Sequence, residues 1–278
     1  MKKCKLMIIS VALCLMLAVL AGCAWFENGV PFPSLGGGGL PQAGTPHSSA
    51  SGIADRLTTD GEKIVRFDNG SVTNLHQSLQ VANGYANGDP FDCFWSSANA
   101  YLANNRLNLS LTKGTNYSRG RTYEYVGAEV RSWWNGYSYG FYSVSMKAAD
   151  CSGVISSFFT YTSNPWDEID IEFLGKDMTS VQFNYYTKGV GGHEFVYKLG
   201  FDASKDFHEY AFLWLADSIT WYVDGKAVYR ATSNIPTTST QIMMNVWNCA
   251  GNDRWSGKFD TTSVPVSAEY QWIGYSAA

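Results

Sequence analysis

From residue 60 onward, apolar and polar side chains alternate in short runs instead of recurring every three or four positions. "GFYSVSMKA" at 140–148, "SVQFNYYT" at 180–187, "SITWYVDGKAVYRA" at 218–231 and "QIMMNVWN" at 241–248 carry β-branched and aromatic residues on a two-residue period. That is the pattern of strands with one buried face. Asp224-Gly225 splits the third run and is a strong hairpin signal, because both residues tolerate the positive φ of a tight turn. No segment sustains a 3.6-residue period, and no internal repeat is present. The pattern predicts an all-β domain over 60–278, a jelly-roll sandwich of two antiparallel sheets.

Residues 1–59 depart from this pattern twice. Lys2, Lys3 and Lys5 precede a mostly apolar stretch from Leu6 to Ala21, which is short for a membrane span and reads as an export signal. It ends at Leu20, Ala21, Gly22 and Cys23, which resemble the bacterial lipobox. The expectation is a lipoprotein signal peptide over 1–22 with lipid on Cys23; the alternative is an ordinary secretory signal in which Cys23 is incidental. The segment 23–59 contains "PFPSLGGGGLPQAGTPHSSASG" without apolar periodicity and reads as a disordered Pro/Gly/Ser linker. About 35 flexible residues reach on the order of 30–35 Å, enough to hold a domain clear of a membrane. The expected location is a bacterial membrane at the cell surface, through the anchor on Cys23, or the medium if the anchor is absent.

Composition narrows the function classes. With 278 residues, 45% hydrophobic and 16% charged, the chain can bury a sizeable core. The formal charge is −4, and no run of Lys or Arg offers a footprint for nucleic acid. Removing residues 1–22 takes three lysines and no acid from that −4, which leaves −7. Aromatics make up 15%, with 10 Trp and 17 Tyr, a composition suited to stacking on flat, partly apolar ligands such as sugars. Of the six cysteines, Cys4 and Cys14 leave with the signal and Cys23 would carry lipid, so Cys93, Cys151 and Cys249 remain. An odd count without CxxC spacing argues against a zinc cluster and permits at most one bridge; buried free thiols are expected.

The chemistry concentrates in "WDEIDIEF" at 166–173, where Glu168, Asp170 and Glu172 occupy every second position. On a strand, Ile169, Ile171 and Phe173 would face the core and the three acids the other side. Like charges on neighbouring sites of one sheet face are destabilising, so a merely solvated face would mix signs. Glycoside hydrolysis, by contrast, requires two carboxyl groups flanking a bond. Residues i and i+4 of a strand have Cα atoms about 13–14 Å apart, and side chains leaning inward bring the carboxyls towards the ~5–5.5 Å of retaining enzymes. Asp170 between them could hydrogen-bond one carboxyl, while its charge raises the pKa of the neighbour that must be protonated. A plain polar face and a calcium site are the alternatives, although a regular strand wraps an ion poorly. His193 of "HEFVY" lacks the second His of a zinc protease, no GxSxG is present, and "GVGG" at 189–192 has neither P-loop nor dinucleotide spacing.

From about 82 to 275 the chain resembles the bacterial lichenases, endo-β-1,3-1,4-glucanases of glycoside hydrolase family 16. The resemblance is carried by "SSFFTYT" at 156–162, "WDEIDIEFLGKD" at 166–177, "VQFNYYTKGVGGHE" at 181–194, "FHEYAFLW" at 207–214 and "IMMNVWN" at 242–248. It implies that Glu168 is the nucleophile, Glu172 the general acid and base, and Asp170 the helper. It also implies a cleft lined by Tyr85, Asn87, Glu129, Arg131, Phe159, Tyr161, Trp166, Gln182, Asn184, Tyr186, Asn245, Trp247 and Trp255. A monomer acting on a β-glucan polysaccharide, with no cofactor or catalytic metal, is the corresponding expectation. Four departures stand out: Gly127 occupies the place of a second cysteine, Gln271 that of an aspartate that ligates structural calcium, "SNP" at 163–165 is a short loop, and Trp133-Trp134 is an unfamiliar pair. Gln271 offers a carbonyl oxygen but no charge to calcium.

The resemblance points to mixed-linkage glucan cut with retention of configuration. Activity on β-1,3-glucan or xyloglucan is the second reading, although laminarinase-type relatives usually insert one residue before the last Glu and this chain does not. A noncatalytic, lectin-like module is the third; it would need the aromatics but not two aligned Glu residues.

Overall fold

The computed structural model describes residues 65–278; the expected signal peptide, Cys23, the expected linker and the first residues of the expected domain lie outside them. Sixteen strands make up more than half of the described residues: β1 (Val65–Arg66), β2 (Leu79–Val81), β3 (Phe94–Trp95), β4 (Ala100–Ala103), β5 (Arg106–Ser118), β6 (Arg121–Ser132), β7 (Gly140–Lys147), β8 (Val154–Ser163), β9 (Trp166–Leu174), β10 (Ser180–Tyr186), β11 (Phe195–Lys198), β12 (His208–Leu215), β13 (Ser218–Val223), β14 (Lys226–Ala231), β15 (Gln241–Asn248) and β16 (Val266–Ala277). Two helical turns, α1 (Leu75–Ser78) and α2 (Asp253–Ser256), lie between them.

The strands form the expected sandwich. A front sheet runs β11-β10-β9-β8-β15-β6, and a back sheet runs β5-β16-β7-β12-β13-β14. The two are joined because β5 and β6 are long enough to pair with each other and then part, β6 meeting β15 through 128–131 and β5 meeting β16 through 107–111. Turn chemistry follows the sequence. Asp224 and Gly225 adopt φ of 46° and 75° between β13 and β14, the primed hairpin turn that suits strand twist. Ser163 pairs with Trp166 across Asn164-Pro165, whose peptide bond is cis, so the short loop is a two-residue turn built on a cis proline.

The inner faces supply one continuous core. Phe158, Ile169, Ile171, Phe173, Phe183 and Met244 of the front sheet meet Tyr142, Val144, Tyr210, Phe212, Trp214, Trp221 and Ile273 of the back sheet, all fully or almost fully buried. The isoleucines and Phe173 point inward as the alternation requires. Two back-sheet side chains cross this core to the main chain of the front sheet: Trp221 Nε1 donates to the carbonyl of Asp170 at 3.1 Å, and Tyr270 OH to that of Ser157 at 3.0 Å. Asp167 also faces inward and is fully buried. Its carboxylate accepts from the backbone N–H groups of Lys188 at 2.7 Å and of Thr237 and Thr238 at 3.0 Å each, which satisfies a charge that would otherwise be costly to bury.

Cys93, Cys151 and Cys249 are buried free thiols, and burial pushes the Cys93 thiol well above its ordinary range. A Cβ at Gly127 would lie 2.7 Å from Cys93 Sγ, so position 127 faces Cys93 directly. Gln271 does not offer a cation site. Its side-chain oxygen accepts from Ser145 Oγ at 2.8 Å and its main-chain oxygen from the N–H groups of Phe67 and Asp68 at 2.8 and 3.2 Å. The nearby Asp68 carboxylate is held by both Nε and Nη2 of Arg66. Calcium needs several free oxygens with charge among them, and these residues do not fit it.

Candidate active site

The acids of β9 sit on a grid set by strand register. Glu168, Asp170 and Glu172 lie opposite Tyr186, Asn184 and Gln182 on β10 and opposite Tyr161, Phe159 and Ser157 on β8. The rows continue through Gln241, Met243 and Asn245 on β15, and on to Arg131 and Glu129 on β6. Residues paired in register point to the same side of a sheet, so these positions share the outer face of the front sheet. The sequence-derived site residues on β6, β8, β9, β10 and β15 are therefore brought together. Trp255 joins them from α2 at the opposite edge, and the loop after β2 contributes Tyr85, with exposed Asn87 two residues beyond it.

The two outer acids have different donors. Trp166 Nε1 donates to Glu168 Oε2 at 2.5 Å, and the Trp166 ring is stacked on Tyr186 with centroids 4.5 Å apart. Gln182 Nε2 donates to Glu172 Oε2 at 2.9 Å and is itself oriented by Trp255 Nε1, which donates to Gln182 Oε1 at 3.1 Å. Across the cleft, Arg131 pairs with Glu129 and donates to Tyr85 OH at 3.0 Å, while Ser157 Oγ donates to Asn245 Oδ1 at 2.6 Å. Asn184 is buried next to Asp170, and its Oδ1 has no hydrogen-bond partner among the described residues. An unpaired buried acceptor of this kind is costly until a ligand donor meets it.

Electrostatics distinguish the three carboxyls. Burial raises Glu172 above the ordinary carboxylate range and the charge of Glu168 adds to it, while the Gln182 hydrogen bond opposes. Burial also raises Glu168, but hydrogen bonds from Trp166 and Asp170 counter the rise. Asp170, only 4% exposed, is raised well above its ordinary value: first by burial, then by the charges of Glu168 and Glu172 and by its interaction with Glu168. The interaction with Glu168 raises Asp170 and lowers Glu168, and the neighbouring charge that raises Glu172 is that of Glu168.

One further placement differs from the expected lining. Trp247 is 4% exposed, covered by Phe91 at a centroid distance of 4.1 Å with Trp255 at 6.1 Å; it supports the floor and has little ring face free. Residues missing from the sequence reading are Ser157, Gln241 and Met243, all in step with assigned neighbours, and Glu194, whose charge raises both Asp170 and Glu172. Continuing the two-residue alternation from Phe159 and Asn245 finds the first three. Glu194 lies in the loop before β11, where no period reaches it.

The chain matches known proteins over this whole region. Residues 87–272 match the profile of glycosyl hydrolases family 16. A β-glucanase of Paenibacillus polymyxa is 51% identical over 203 residues, covering 71% of this chain and 82% of that protein. The structure of Bacillus licheniformis β-glucanase superposes with a TM-score of 0.72 at 45% identity, covering 79% of this chain and 100% of that one. A prokaryotic β-1,3-1,4-glucanase (lichenase) derived from a mouse hindgut metagenome gives a TM-score of 0.72 and 45% identity over 78% of this chain and 99% of that one.

Proposed function

The chain belongs to glycosyl hydrolases family 16, and from that premise we propose that it is an endo-acting enzyme that cleaves mixed-linkage β-1,3-1,4-glucan with retention of configuration. Glu172 donates its proton to the glycosidic oxygen as the C–O bond breaks, and the Glu168 carboxylate attacks the anomeric carbon to form a glycosyl ester. Esterification removes the Glu168 charge. Glu172, now ionised, takes a proton from water, which attacks the anomeric carbon and restores Glu168. Asp170 is the positioning group: its proton keeps Glu168 charged and oriented until attack.

The observation that carries this reading is a row of carboxyls on one sheet face whose two outer members have different neighbours. Glu168 receives two hydrogen bonds that favour its charged form, and Glu172 sits beside that charge without a cation. A sugar-binding module has no need of two aligned carboxyls on one face. Tyr161, Trp166 and Tyr186 supply partly exposed rings for pyranose faces, and Glu129, Arg131, Asn184 and Asn245 supply partners for hydroxyls. The enzyme acts as a monomer without a cofactor, held at a bacterial membrane by lipid on Cys23. Fatty-acid labelling that disappears in Cys23→Ser tests the anchor, and an unlabelled parent chain overturns it.

The test of function is incubation of the full chain with lichenan, laminarin and xyloglucan, with the anomer of each new reducing end read by proton NMR at early times. Fastest release from lichenan as the β-anomer is expected. Faster attack on laminarin or xyloglucan moves the substrate to the related polymer, an initial α-anomer overturns the mechanism, and binding without new reducing ends makes the protein a lectin-like module.

A further inference from the structure

Trp133 follows β6 immediately, and by two-residue alternation it continues the line of Glu129 and Arg131. Its indole is 59% exposed. A single exposed aromatic is ordinary on a protein surface, but this one stands on a pinned segment at the mouth of the cleft. Gln241 Nε2 donates to Ser132 O at 2.9 Å, Ile242 N to Ser132 Oγ at 3.1 Å, and Ser132 Oγ to Trp134 O at 2.7 Å. Tyr137 and Thr240 exchange backbone hydrogen bonds at 2.8 and 3.2 Å. Trp134 packs edge-on against Tyr137, centroids 4.5 Å apart, and lies so close over Gly136 that a Cβ there would meet its ring at 2.5 Å. One tryptophan thus anchors the loop and the other is presented by it.

From this placement we infer that Trp133 is an outer sugar platform, adding a binding position for one more glucosyl unit of the same chain that occupies the cleft. The inference rests on the β-glucanase reading. From β9, where the bond is cut, to β6 there are three strand steps, about 14 Å at the usual strand spacing, or a few sugar units. Arg131, bonded to Glu129 and Tyr85, marks the end of the polar lining on that side, and the next unit of a glucan passing it meets Trp133. A pyranose presents a C–H face to an indole and needs no further hydrogen bond there. Because the loop is already fixed, little conformational freedom is lost when the ring is covered. The result is a preference for longer chains over short ones.

The experiment compares kcat/KM of the full chain for mixed-linkage oligosaccharides of increasing length, in the parent, Trp133→Ala, Trp133→Phe and Tyr101→Ala. Tyr101 is 43% exposed and lies on β4 beside the back sheet, so it controls for loss of an exposed aromatic. The parent is expected to gain about three- to tenfold on the unit that reaches Trp133. Trp133→Ala should abolish that gain, Trp133→Phe should keep most of it, and Tyr101→Ala should leave it intact. A parental length dependence in Trp133→Ala overturns the inference. If the parent hydrolyses no glucan, the β-glucanase reading fails; titration of Glu168→Gln with the same oligosaccharides, followed by indole fluorescence, then decides separately. Quenching that is lost with Trp133→Ala supports the platform, and identical quenching without Trp133 removes it.

Discussion

On the back sheet Glu269 lies between Lys147 at 2.5 Å and Arg106 at 3.5 Å, whereas on the front sheet no ion pair reaches Glu168, Asp170 or Glu172 among the described residues, and Arg131 is taken by Glu129. Glu269 is neutralised, and the row on β9 has no cation beside it among the described residues. Glu209 on β12 sharpens the contrast. It is buried, burial first and Asp224 second push its carboxyl up to about 7, and its Oε1 has no partner among the described residues. Burial alone therefore raises a carboxyl on either face. What sets the front face apart is a row of three, its two outer members held by different donors, opening onto rings and amides; a raised pKa marks a functional site only in such company.

The largest effect separates the two faces outright. Glu168→Ala and Glu172→Ala should each lower kcat by about 10³-fold or more, measured as reducing ends released from lichenan, whereas Glu209→Ala should leave it near the parental value. If the Glu209 change proved as damaging, the distinction between faces would collapse.

Glu209 should show itself in stability. Its folded pKa is raised above the unfolded value, so the folded state holds the extra proton, and stability falls as pH rises from the ordinary carboxylate range through about 7. Glu209→Gln, which keeps the shape without the charge, should stabilise the protein by on the order of 2–3 kcal/mol at pH 8 and by little at pH 4. Urea unfolding at the two pH values measures this; equal shifts at both would mean that charge is not the cause.

Trp221 links the faces, since its indole N–H rises from the back sheet to the main chain of Asp170. Trp221→Phe removes the donor and should cost about 1–2 kcal/mol in stability. It should also lower kcat and shift the pH profile of the surviving activity, a change that a core defect remote from Asp170 would not produce. The smallest expected effect is that of Glu194→Gln. Its charge raises Glu172, so its loss should move the basic limb of kcat/KM, where Glu172 gives up its proton, slightly towards lower pH; a limb that stayed in place would remove Glu194 from the electrostatics of the site.

Much of this was readable from local pattern. A period of two placed Ile169, Ile171 and Phe173 inward and the acids outward, and Asp224-Gly225 marked its hairpin. Strand order was not readable, because β8 lies between β9 and β15, and β15 between β8 and β6; the contact of Ser157 with Asn245 spans 88 positions. The three acids look equivalent in the sequence, and only the depth of Asp170 and the donors to Glu168 and Glu172 set them apart. Asp167 was equally opaque: it belongs to the same motif, yet its partners are backbone groups at 188, 237 and 238.

The most direct test is to trap the glycosyl-enzyme ester with a slow, fluorinated glucan substrate and locate it by peptide mass spectrometry. A single adduct on Glu168, formed in the parent and absent from Glu168→Gln, is expected. An adduct on Glu172, or turnover of the same substrate to an inverted product with no adduct, would contradict the assignment of nucleophile and acid.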